Sequence, residues 1–85
     1  MKVFTKIYDP GHGWLKVSRK AYEASGYVAS RYSYQSASGK TVYLEEDCDM
    51  YGFLLAIGYS TLTRVRLKNV YIKNYSKIRN LEPIK

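Results

Sequence analysis

A single cysteine, Cys48, excludes an intrachain disulfide and any zinc site built on cysteines. It also fits a reducing, intracellular setting. Long apolar runs are missing too: the longest, residues 51–59, is far too short to span a bilayer. The opening residues, 1–10, alternate charged and apolar side chains and lack the apolar centre of a signal peptide. A soluble, cytoplasmic chain with no membrane contact is expected. There is no Walker-type or dinucleotide glycine fingerprint, and Gly11-His12-Gly13 alone is weak ground for phosphate binding. Acids are scarce. Four of the seven fall in Glu45-Glu46-Asp47-Cys48-Asp49, which leaves the rest of the surface basic.

What is present is a net charge of +7 and ten tyrosines in 85 residues. The charge favours anionic partners such as nucleic acid, nucleotides or acidic protein surfaces. Tyrosine offers a flat apolar face with a polar tip, suited to interfaces and to stacking on bases. The length allows one small domain, residues 1–85, near the lower limit of what folds unaided. A homo-oligomer would add buried area, and small symmetric assemblies are the commonest kind.

The stretch Tyr8-Asp9-Pro10-Gly11-His12-Gly13-Trp14-Leu15 packs a turn, the only histidine and the only tryptophan together. Pro10 presets φ at the second turn position, and Gly11 accepts the positive φ that a type II turn needs at the third. Gly13 removes bulk beside His12, so backbone amides and imidazole can face one small ligand. The plainer reading is a hairpin turn followed by a tryptophan that packs in the core.

Alternation predicts strands over residues 2–9 and 14–17, joined as a hairpin. Ser18 caps a short helix over 19–25 that Gly26 stops. Strands follow over 31–35 and 41–45, with Gly39 in the polar connection. The acids at 46–49 suit the positive end of a second helix, where Tyr51, Leu54, Leu55 and Gly58 recur at helical spacing. A further strand covers 62–68, and the residues from Ser76 form an irregular tail that Ile78 and Leu81 can anchor.

This order, ββαββαβ, predicts an α+β fold: a mostly antiparallel sheet of about five strands with two helices on one face. Val3, Ile7, Leu15, Val17, Val42, Leu44, Val65 and Leu67 would lie beneath the helices. Phe4, Tyr8, Trp14, Lys16, Tyr43, Arg64, Arg66 and Lys68 would then occupy a bare, basic and aromatic face. Such faces bind single-stranded nucleic acid, nucleotides or another subunit. Sequence-specific DNA reading is disfavoured, because the second helix begins acidic and continues apolar.

For catalysis, histidine is the side chain that ordinarily titrates near neutral pH, and Asp9 or Glu46 are candidates to orient His12. No paired motif with catalytic spacing accompanies it, so no catalytic residue is assigned. Cys48 lies between acids that disfavour its thiolate, which makes it a half-buried helix-start residue rather than a nucleophile. The acidic run lacks the spaced loop of a calcium motif and has a structural explanation at a helix start, so no metal site is assigned. Alternatively the acids meet basic residues, Arg79 among them, whose guanidinium binds carboxylate or phosphate in bidentate fashion. The cations Arg64, Arg66 and Lys68 either face an anionic partner or protect an edge strand from aggregation.

The blocks YDPGHGWLKV, SRYSYQ, VYLEEDCD followed by FLLAIG, and NYSKIRNL resemble those of a set of small phage and prophage proteins. The blocks fall in order and span nearly the whole chain. The resemblance brings no established activity or site. What it implies is context: a virus-encoded accessory protein in the host bacterial cytoplasm. Many such proteins counter host defence, and some are small oligomeric sponges for nucleotide-derived immune signals. Together with the charge and aromatics, the expectation is a non-enzymatic protein that sequesters a small anionic nucleotide-type ligand, needing no cofactor. Trp14 and Tyr34 would stack on a base. His12 and the amides around Gly11 and Gly13, with Arg79 and Arg66, would hold phosphates or ribose hydroxyls. The alternatives are an inhibitor that binds single-stranded nucleic acid or a host protein, and a small hydrolase using His12.

Overall fold

The computed structural model describes residues 3–59, 65–73 and 76–85. Its elements are strands β1 (Val3–Tyr8) and β2 (Gly13–Ser18), helix α1 (Arg19–Ser25), and strands β3 (Tyr34–Gln35) and β4 (Thr41–Glu45). A π-helical turn (Glu46–Met50) then runs into α2 (Tyr51–Ala56), followed by β5 (Arg66–Tyr71), α3 (Ser76–Arg79) and β6 (Glu82–Pro83). The strands make one sheet in the order β5-β1-β2-β4-β3-β6. It is mixed, because β5 runs parallel to β1 while the other pairs are antiparallel. The α+β expectation therefore holds in outline, with an additional strand and an additional helix. Both come from the tail read as irregular, where Ile78 is buried. No helix among the described residues is long and apolar enough to cross a membrane.

α1 begins and ends where its local chemistry dictates. Ser18 Oγ accepts from the Ala21 amide at 3.0 Å, and Gly26 closes the helix at φ 74°, a left-handed conformation that costs glycine little. Its Tyr22 joins Phe53 and Leu54 of α2 over Phe4, Leu15, Val17, Val42 and Leu44 of the sheet, forming the main core. Val65 and Leu67 pack against this cluster as expected.

β1 has the opposite phase to the one expected. Phe4 is buried and Val3 is exposed, because Lys6 lies opposite Leu15, which places Phe4, Lys6 and Tyr8 on the helix side. Both rows of this strand carry apolar residues, so alternation alone does not choose between them. The lysine this register turns towards the helices is met by Glu46 at 2.6 Å.

The other side of the sheet is not bare. Trp14 is only 2% exposed and Ile78 equally buried, both outside the main cluster. Arg79 of α3 stands 6.0 Å over the Trp14 ring, so the C-terminal segment covers the middle of the face predicted to be open. Lys16, Arg66 and Lys68 remain exposed. Arg64 and most of the first half of the strand predicted over 62–68 lie outside the described residues.

Candidate functional site

The turn between β1 and β2 is organised by Asp9 rather than by a left-handed Gly11, whose φ is not positive. Asp9 Oδ1 accepts the backbone amides of Gly11 and His12, each at 2.8 Å, and the Asp9 amide donates to the His12 carbonyl at 2.8 Å. This is the side-chain-to-backbone bonding that makes aspartate a turn former. The same Oδ1 takes Arg79 at 3.1 Å, so the turn is tied to α3. Burial would raise the Asp9 pKa, but the two amides and the guanidinium outweigh it and hold the carboxyl below its ordinary value. The amides expected to face a ligand are therefore engaged within the chain.

Gly13 serves packing. A Cβ there would lie 2.8 Å from Lys6 Cε and 3.0 Å from Glu46 Oε2, so glycine leaves room for the Lys6–Glu46 ion pair.

Across from the turn, Glu45 ends β4 and caps the π-helical turn. Its Oε2 accepts the amides of Asp47 and Cys48, both at 2.9 Å. The other oxygen, Oε1, is buried and no hydrogen-bond donor among the described residues reaches it. Its nearest charged neighbour is His12 Nδ1 at 3.5 Å. His12 is thus partnered by Glu45 and not by Asp9 or Glu46. Cys48 is exposed rather than half-buried, and a hydrogen bond to Glu45, with the surrounding carboxylates, pushes its thiol pKa up.

Behind this cap, Asp49 is buried beneath a ring of donors. Its Oδ1 accepts from Tyr27 Oη and the Ser30 amide, each at 2.9 Å, and its Oδ2 from Ser30 Oγ at 2.7 Å and from Ser33 Oγ. Ser33 Oγ in turn accepts the Glu45 amide at 2.8 Å. Burial raises the Asp49 pKa, but hydrogen bonds from Ser33, Ser30 and Tyr27 win and lower it. The same contact and burial push Tyr27 up to about 12.

Between the turn and the cap opens a pocket of about 330 Å³ lined by His12, Trp14, Tyr32, Tyr34, Glu45, Asp47, Cys48 and Arg79. Four residues singled out from sequence, His12, Trp14, Tyr34 and Arg79, meet here from separate elements. Trp14 is the floor: Tyr34 meets it edge-on at 6.5 Å and its indole N–H is buried without an acceptor among the described residues. Its burial beneath Arg79 and Tyr34 leaves the flatter, more open surfaces to Tyr32 and Tyr34. Gly11 and Gly13 do not line the pocket, and Arg66 lies on an edge strand two positions from β2 in the sheet.

The site members missed from sequence are Tyr32, Glu45, Asp47 and Cys48 as pocket walls. The clustered acids were visible, but not that a strand end would turn them towards His12. No protein family, curated protein or solved structure matches this chain.

Proposed function

We propose that the chain is a non-catalytic binding protein whose pocket between the Asp9 turn and the Glu45 cap takes a small, planar, nucleotide-derived ligand. The observation that carries this reading is the convergence of three aromatic side chains with His12 and Arg79 on one 330 Å³ hollow. A volume of that order accommodates a small heterocycle and little more. Tyr32 and Tyr34 offer ring faces for stacking. Arg79 and His12 stand at the side where a phosphate or ribose hydroxyl would be held. The chain's net charge of +7 draws an anion towards the surface as a whole. In the setting of the phage-protein resemblance, the role is sequestration of a nucleotide signal from a bacterial defence pathway.

Trp14 is the only tryptophan and forms the pocket floor, so its emission reports occupancy. Titrating mononucleotides and cyclic dinucleotides is expected to change that emission saturably, at one ligand per chain, and to return the ligand intact after denaturation. Affinity that grows with oligonucleotide length and falls steeply with salt would instead assign single-strand binding. Recovery of a cleaved ligand, lost in His12→Ala, would assign hydrolysis.

A further inference from the structure

An anion entering this pocket meets two carboxylates. Glu45 and Asp47 both line it, while Arg79 already faces Asp9. Either the ligand's charge stays clear of that wall or a cation stands between them. The wall itself has the composition for a cation. One ligand atom each from His12, Glu45 and Asp47 falls within 4.8 Å of the others.

We propose that His12 Nδ1, Glu45 Oε1 and a carboxylate oxygen of Asp47 bind one divalent cation of the Zn²⁺ or Mn²⁺ class at the rim of the pocket.

Three features support it. Glu45 Oε1 is buried on a side chain only 8% exposed, has no hydrogen-bond donor among the described residues, and looks towards His12. The 3.5 Å between His12 Nδ1 and Glu45 Oε1 is close to the roughly 3.3–3.5 Å that separates two donors held about 2.0–2.2 Å from a tetrahedral ion. The donors are also positioned by bonds that a cation would not disturb. Glu45 is fixed through Oε2, Asp47 through its own amide on that oxygen, and the His12 backbone through Asp9. Such positioning from behind is what an ion site needs.

One imidazole and two carboxylates make a mixed nitrogen–oxygen set that suits Zn²⁺ or Mn²⁺ better than Ca²⁺, which takes six to eight oxygens. Three protein ligands leave coordination positions open for water or a phosphate oxygen. The buried Trp14 indole N–H, on the same pocket and lacking an acceptor among the described residues, is a donor for such an oxygen. The cation site stands on its own donors. Its bridging to a phosphate rests on the binding function proposed above.

The experiment titrates the metal-free protein with Zn²⁺ and with Mn²⁺ alone by calorimetry, then repeats the titration with AMP and GMP present. One equivalent should bind per chain. His12→Ala and Asp47→Asn should each weaken binding at least about tenfold, with circular dichroism unchanged, and Glu23→Gln, far from the pocket, should match the parent. No saturable binding, or binding that ignores both variants, overturns the cation site. Metal binding with no nucleotide uptake leaves the cation site standing and removes the nucleotide reading. Nucleotide uptake that is indifferent to metal, with no metal bound, does the reverse.

Discussion

Gly52 shows how one position can be governed by a neighbour and not by its own helix. In an exposed helix, glycine to alanine gains about 1 kcal/mol. Here an added Cβ would sit 2.5 Å from Cε1 of Tyr27, whose hydroxyl is held by Asp49. The ring has little freedom to yield, so Gly52→Ala is expected to destabilise the fold by about 1–3 kcal/mol, an overpacking cost that exceeds the propensity gain. Urea unfolding monitored by Trp14 emission decides the sign. Asp49 is the reverse case, a buried carboxylate stabilised by everything around it. Asp49→Ala leaves Tyr27, Ser30 and Ser33 donors without their acceptor and should cost about 3 kcal/mol or more. Asp49→Asn, which keeps one acceptor oxygen, should cost less. Equal losses for the two would mean that the donors, not the charge, set the stability.

Among the elements, those legible in the sequence are the ones whose determinants lie within a few residues. Ser18 and Gly26 bracket α1 by local hydrogen bonding and backbone conformation. The β1–β2 turn was locatable for the same reason, although Asp9 and not a left-handed Gly11 shapes it. Elements whose determinants are distant were not legible. β1 can present either row until β2 chooses, and α3 and β6 exist because Ile78 and Arg79 dock on residues near the start of the chain. The pocket divides in the same way. The aromatic and basic residues announced themselves by type, whereas the Glu45–His12 approach depends on how β4 ends beside the turn. The docking of α3 is testable by Ile78→Ala. Emptying that buried position should cost about 2–4 kcal/mol, and it should shift Trp14 emission to the red as water reaches the indole. An unshifted spectrum would mean that Trp14 is covered by other residues.

Taken as a whole, the molecule should be acid-sensitive through two carboxylates at separate places. Asp9 and Asp49 both have folded-state pKa values below the ordinary 3.8. Each therefore contributes stability that is present above about pH 4 and lost as pH falls through its folded value. Stability measured by urea midpoint should decline progressively below pH 4, and Asp9→Asn should flatten part of that decline. An unchanged acid profile in Asp9→Asn would show that the turn tolerates protonation.

The two strands contributed late in the chain, β5 and β6, stand at opposite margins of the sheet with α3 between them. Their last rungs are the Ile72 amide on the Tyr8 carbonyl at 2.8 Å and the Ile84 amide on the Ser33 carbonyl at 3.3 Å. The late segment thus works as a belt, stitched at both hems and buckled in the middle by Arg79 on Asp9. Loosening the buckle slackens both hems together, and a guest that grips Arg79 tightens them, so occupancy of one hollow would be felt at amides on either side of the molecule.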